Sequence, residues 1–206
     1  MYEVSLSTSY FPAQTDAKIW DTTVGVHLRE VAVDHPDLVA MVEIDDAGQA
    51  RGKWTYSNLL VNSDRLARSL ASRFAPGEKV VVWAPNIPEW IFMEYACGLA
   101  GLVLVTANPS FQAKELRYVL EQSGAVALFM VDEFRGNPMR EIAENATASV
   151  EGIREVINLN DEAALHARGD LEGVLPAVAP DDAAQIQYTS GTTGFPKGAV
   201  LSHKNL

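Results

Sequence analysis

Hydrophobic and polar positions fall into two periods along this chain. Thr22 or Thr23 can cap a first helix carrying Val26, Leu28, Val31 and Ala32, and His35-Pro36 ends it, because a residue before proline avoids helical backbone. Leu38 to Ile44 reads as a strand and Asp45-Asp46-Ala47-Gly48 as a turn. Lys53-Trp54-Thr55 leads into a long amphipathic helix. Its apolar positions Leu59, Leu60, Leu66, Leu70 and Phe74 recur at helical spacing until Pro76-Gly77. Short apolar strands then alternate with helices. Strands are predicted over Lys79 to Trp83, Leu102 to Val105, Ala125 to Val131 and near Glu155 to Leu159. Helices are predicted over Pro88 to Ala100, Ala113 to Gln122 and near Pro138 to Ala148.

Strands without a polar face, alternating with helices, predict a mostly parallel sheet covered on both sides. With right-handed crossovers this is a Rossmann-like α/β fold. No G-x-G-x-x-G follows any of the strands, so a dinucleotide site is not supported. The expected organisation is an N-terminal arm over residues 1–21, an α/β subdomain over 22–160, an acidic linker over 161–183, and a strand–loop–strand segment over 184–206. The linker has two prolines and a short helix over Glu162 to Ala167, and it reads as a solvated connection.

Charge and composition narrow the function. Sixteen Lys and Arg oppose 27 Asp and Glu, for a net charge of −11. Such a surface repels nucleic-acid phosphates, so any anionic ligand has to be held by local donors. A single cysteine, Cys97, excludes an internal disulfide and a cysteine-built zinc site. It suits a reducing, cytoplasmic setting. The N-terminus has neither a basic start nor an apolar run, so it does not read as a signal peptide. The apolar stretch from Tyr95 to Ala107 falls short of the roughly 20 residues of a membrane helix.

The candidate chemistry lies after the linker. Ala184 to Tyr188 and Gly198 to Leu201 read as strands. Between them Thr189-Ser190-Gly191-Thr192-Thr193-Gly194-Phe195-Pro196-Lys197 packs four hydroxyls, two glycines and a lysine into nine residues. Glycine lets backbone approach a ligand and turn its N–H groups inward. Hydroxyls add short donors and Lys197 adds a mobile positive charge. Together they suit an anion cradle for polyphosphate. The string is not a Walker A loop. Pro196 stands where that motif needs its second glycine, and Gly198 rather than Ser or Thr follows Lys197.

The string YTSGTTGFPKGAVLSH resembles the phosphate-binding signature of the adenylate-forming superfamily, which includes acyl-CoA synthetases, aryl-CoA ligases, peptide-synthetase adenylation domains and luciferases. Trp54-Thr55-Tyr56, the run from Lys79 to Trp90, Gly98 to Asn108-Pro109, Ala113 to Leu116 and Ser123-Gly124-Ala125 resemble further family segments in the expected order. The resemblance implies ATP-dependent activation of a carboxylate, with release of pyrophosphate and transfer of the acyl group to a thiol, often coenzyme A. It implies phosphate contacts from Thr189, Ser190, Gly191, Thr192, Thr193 and Gly194, electrostatic assistance from Lys197, and Mg²⁺ carried mainly on the phosphates. The SHKNL ending and the upstream segments lean towards fatty-acyl members. The alternatives are an amino-acid- or aryl-acid-activating adenylation domain, or a non-catalytic nucleotide-binding module. The family's adenine, ribose and hinge motifs and its C-terminal lysine do not appear in the 206 residues. The chain alone is therefore expected to be an inactive N-terminal portion, with uncovered strand edges and a tendency to self-associate.

The remaining candidates read as structural. His27, His35, His166 and His203 show no metal spacing, and no metal site is predicted. Ser202 reads as the N-cap of a following helix. Cys97 reads as a buried, inert thiol. Trp83, Trp90, Phe92 and Tyr95 surround the Pro85-Asn86 turn, with core packing as the default and an acyl-pocket contribution as the alternative. Asp181 and Asp182 sit roughly 20 Å of strand away from Thr189 and suit a capping role.

Overall fold

The computed structural model describes residues 19–45, 47–166, 173–189 and 196–206. The expected N-terminal arm falls almost wholly outside them. Helix α1 (Val24–Asp34) begins where Thr23 Oγ1 accepts a hydrogen bond from the Val26 N–H at 3.1 Å, and it stops at His35. Leu28 and Ala32 face inward, whereas Val26 is exposed.

Strands β1 (Val39–Ile44) and β2 (Ala50–Thr55) form a separate antiparallel ribbon. Asp45 ties its turn, accepting on Oδ1 from the Ala47 and Gln49 N–H groups at 3.0 and 2.9 Å. The hydrophobic pattern does not predict β2 as a strand. ARGKWT is mostly polar, and both of its faces are largely accessible, so nothing imposes alternation on it.

Thr55 and Asn58 close a reciprocal capping box at the start of α2 (Tyr56–Ala71). This helix ends three residues before Phe74, where the pattern carries it on. The Arg73 and Phe74 N–H groups both turn back to the Leu70 carbonyl. That tightened last turn keeps Phe74 buried and so preserves the helical spacing beyond the helix.

The rest of the chain follows the predicted alternation to within about two residues. It runs β3 (Lys79–Trp83), α3 (Pro88–Ala100), β4 (Val103–Ala107), α4 (Ala113–Ser123), β5 (Ala127–Met130), α5 (Met139–Thr147), β6 (Glu155–Asn158), α6 (Glu162–Leu165), β7 (Ala183–Thr189) and β8 (Lys197–Ser202). A short 3₁₀ turn, His203–Asn205, follows the Ser202 cap.

One six-stranded sheet has the order β6-β5-β3-β4-β7-β8. Its first five strands are parallel, and β8 returns antiparallel to β7. From β3 the chain moves to β4, then back past β3 to β5. Right-handed crossovers therefore put α3 and α4 on opposite faces. The packing agrees: α1, α2 and α3 contact one another, and α4 contacts α5. Val80, Val81, Val82, Trp83, Leu128 and Phe129 are fully buried between these layers. Burial of each such side chain contributes about 1.5–3 kcal/mol.

The described parts of the acidic segment, 161–166 and 173–183, both touch the core. Leu165 is buried, Leu175 packs against the core, and Arg73 and Ser69 donate to the Leu165 carbonyl. Gly101, in left-handed backbone at φ 67°, leaves room for Pro76, Pro176 and Val178 to close over the end of α3.

Candidate active site: the β7–β8 hairpin

The five parallel strands all end on one edge of the sheet, at Trp83, Ala107, Met130, Asn158 and Thr189. Crevices outside that edge are where open α/β sheets bind ligands. The β7–β8 hairpin opens there. Thr189 and Lys197 face each other as the last pair of its ladder, and Thr189 Oγ1 makes a long hydrogen bond, 3.5 Å, to the Lys197 carbonyl. Both residues are exposed. The structure thus brings together the first and last members of the predicted cradle. Ser190, Gly191, Thr192, Thr193 and Gly194 lie outside the described residues.

The frame around the hairpin is tightly specified. A cleft of about 350 Å³ lies beside it, lined by Thr106, Asn108, Phe111, Tyr188, Thr189 and Pro196. The buried Trp83 indole N–H donates to the Asn108 carbonyl at 2.8 Å. Asn108 Oδ1 accepts from the Ser110 N–H and hydroxyl at 2.9 and 2.7 Å. Asn137 donates to the Pro109 carbonyl and accepts from Gln112 Nε2, locking the loop after β5 onto the loop after β4. Tyr118, on α4, donates its hydroxyl to the Pro196 carbonyl at 3.1 Å. Burial, with Tyr118 nearby, pushes the Tyr188 hydroxyl up to about 12, so it stays protonated at neutral pH. Sequence reasoning placed Trp83 in the core but missed its hold on Asn108. It also missed Tyr118, whose helical position gives no sign of a partner 78 residues away.

The other candidates lie elsewhere. Asp182 accepts from the Ala179 N–H at 2.8 Å at the opposite end of β7, which is a capping role. Among the described residues no three His, Cys, Asp or Glu side chains gather to hold a metal. Burial pushes the Cys97 thiol far above its ordinary range, leaving it neutral. His27 is exposed, whereas His203 is buried and accepts from the Val24 N–H on Nδ1 at 3.4 Å. The four aromatic residues do not share one cavity. Phe92 stacks edge-to-face on Trp54, Trp90 lines a groove against β1, and Tyr95 lines a cavity of about 750 Å³ with Val24, Glu94 and His203. That larger cavity is at the other end of β8, away from Lys197.

The mostly parallel sheet with this hairpin at its carboxyl edge fits the N-terminal part of the adenylate-forming family. The chain belongs to the AMP-binding enzyme family, which its residues 28–206 match. It is 30% identical to the putative acyl-CoA synthetase YngI of Bacillus subtilis over 92% of this chain and 39% of that one. It is also 30% identical to the mitochondrial medium-chain acyl-CoA ligase ACSF2 of Homo sapiens, over 96% and 36%. The chain thus spans less than two-fifths of these relatives. Among solved structures, the inhibitor-bound N-terminal domain of FACL13 from Mycobacterium tuberculosis superposes with a TM-score of 0.73 at 28% identity, over 88% of this chain and 44% of that one. VinN, solved with 3-methylaspartate, superposes with a TM-score of 0.73 at 26% identity, over 90% and 48%. Among the described residues no helix is long and apolar enough to cross a membrane.

Proposed function

We propose that this chain is the ATP-handling N-terminal portion of a carboxylate–CoA ligase of the fatty-acid type, acting in the cytoplasm. The observation that carries the reading is the hairpin, with the signature string between Thr189 and Lys197 at the carboxyl edge of a parallel sheet. In the reaction, a carboxylate oxygen attacks the α-phosphorus of ATP and the bond to the β-phosphate breaks. The acyl-adenylate forms and pyrophosphate leaves. A thiol of coenzyme A then attacks the acyl carbonyl and AMP departs.

Charge accumulates on the departing pyrophosphate, so donors fixed around the β- and γ-phosphates accelerate the step. Thr189, Ser190, Gly191, Thr192, Thr193 and Gly194 supply those donors in this reading, and Lys197 supplies positive charge. Mg²⁺ bound through the phosphates would neutralise part of the remainder. The 206 residues by themselves are not expected to complete adenylation, and the ribbon and sheet edges that have no partner strand among the described residues favour self-association.

Lys197→Ala in the intact ligase tests the site. Loss of a charge-assisted contact of about 1.5–3 kcal/mol corresponds to a roughly 10- to 100-fold slower ATP–pyrophosphate exchange. Unchanged exchange would remove Lys197 from the chemistry.

An amino-acid- or aryl-acid-activating domain is the second reading. The structural likeness to VinN, solved with 3-methylaspartate, favours retaining it. A panel of fatty, aryl and amino acids in the same exchange assay separates the two.

A further inference from the structure

The nucleotide reading leaves open what holds the exit of the loop in place, and helix α4 supplies an answer. Pro196 is the residue just before Lys197. Proline has no backbone N–H, so its carbonyl is the sole backbone group through which Pro196 can be tied by a hydrogen bond. That carbonyl accepts from Tyr118 Oη at 3.1 Å, across 78 residues of sequence.

Tyr118 is in turn well seated. It projects from α4 between Arg117, whose guanidinium donates to the Asn145 and Ala146 carbonyls of α5, and Val119, which is fully buried. The N-terminus of α4 is closed by the Gln112–Glu115 capping box and is bonded through Gln112 Nε2 to Asn137. The phenol therefore reaches Pro196 from a helix fixed at its start and along its flank. Among the described residues β8, by contrast, is an edge strand held on one side only, by β7. Without a tie to α4, the start of β8 is held only by its pairing with the end of β7 and by the long Thr189 hydrogen bond.

We infer that Tyr118 is a positioning residue of the nucleotide site: its hydroxyl pins the Pro196 carbonyl and so sets where Lys197 leaves the phosphate loop. Tyr118 touches no reacting atom in this account and acts through the backbone of residue 196. The inference rests on the proposed ATP-binding role of the loop.

Tyr118→Phe in the intact ligase is the test, because it removes one oxygen and keeps the ring packed. Loss of a neutral hydrogen bond that orders a ligand loop is worth about three- to tenfold. The expected result is a KM for ATP raised by about that factor, with the KM for the carboxylate unmoved. Tyr118→Ala, which also abandons the ring, should raise the ATP KM at least as far. A purely structural role would instead reduce the active fraction, lowering kcat and leaving both KM values in place, and that outcome overturns the inference. Equal ATP KM values in the unsubstituted and Tyr118→Phe proteins overturn it as well. If the unsubstituted ligase shows no exchange with any carboxylate and no ATP binding, the nucleotide reading itself fails and this inference falls with it.

Discussion

Replacing Gly198 by alanine asks whether the glycine after Lys197 is there for packing. Gly198 faces Tyr188 across the β7–β8 ladder, with Ile186 diagonal to it. A Cβ at position 198 would fall 2.8 Å from Ile186 Cγ2 and 3.2 Å from Tyr188 Cζ. Carbons in good contact sit about 3.5–4.0 Å apart, so something has to move by roughly 1 Å. Ile186 belongs to the buried core, whereas β8 has no strand beyond it among the described residues, so β8 is the element that yields. Overpacking of this kind costs about 1–3 kcal/mol. The displaced end of β8 carries Lys197, and a misplacement of about 1 Å can slow a reaction roughly 100-fold. Chemical denaturation of Gly198→Ala should report a loss within that range. ATP–pyrophosphate exchange should fall further than the loss of folded protein explains. Ile186→Ala deletes the clashing Cγ2, so the double variant should be more stable than the sum of the two single changes by about 1 kcal/mol. Full exchange in a Gly198→Ala protein of unchanged stability would refute the reasoning, and so would strict additivity of the pair.

Two further outcomes follow from buried charge. The Arg73 side chain is 3% exposed and pairs with Glu155 while donating to the Ala164 and Leu165 carbonyls. Arg73→Met should therefore cost about 3 kcal/mol by denaturant melts, because it removes a buried guanidinium together with its ion pair and its two carbonyl contacts, and an unchanged melt would contradict this. Burial lowers the His203 pKa, with Asp182 opposing more weakly. The folded-state value lies below the unfolded one. The stability from burying neutral imidazole is thus full above the ordinary histidine pKa of about 6.5 and is lost as pH falls through it towards the lowered value. The melting temperature should drop more between about pH 7.5 and 5.0 in the unsubstituted chain than in His203→Asn, and parallel curves would contradict this.

Much of the fold was legible because burial on both faces leaves a strong trace in composition. The runs at Lys79 to Trp83 and Ala125 to Val131 contain no polar face, and both became central strands. Pro88 and Gly101 bracket α3 as a first-turn proline and a left-handed cap should. β2 was illegible for the converse reason, since a two-stranded ribbon with accessible faces imposes no period on Ala50 to Thr55. The tightened turn after Ala71 was illegible too, because Phe74 keeps helical spacing without being in the helix.

The hairpin divides more sharply. The hydroxyls, glycines and lysine from Thr189 to Lys197 have a chemistry that suits an anion, and the proposed cradle rests on that chemistry. Residues that hold such a cradle in place have no distinctive chemistry. Trp83 and Tyr118 each use one polar atom on an otherwise apolar side chain, and each acts on a backbone carbonyl far away in sequence, at Asn108 and Pro196. Gly198 reads from the sequence only as the first residue of a strand, yet the space it leaves empty is bounded by Ile186 and Tyr188 on the neighbouring strand. Glycine in this string therefore serves two physical ends. At Gly191 and Gly194 the proposed need is backbone close to phosphate, and at Gly198 it is backbone close to protein. Substitutions should separate the two, since the first pair would alter nucleotide affinity with little effect on folding, while the last would alter both.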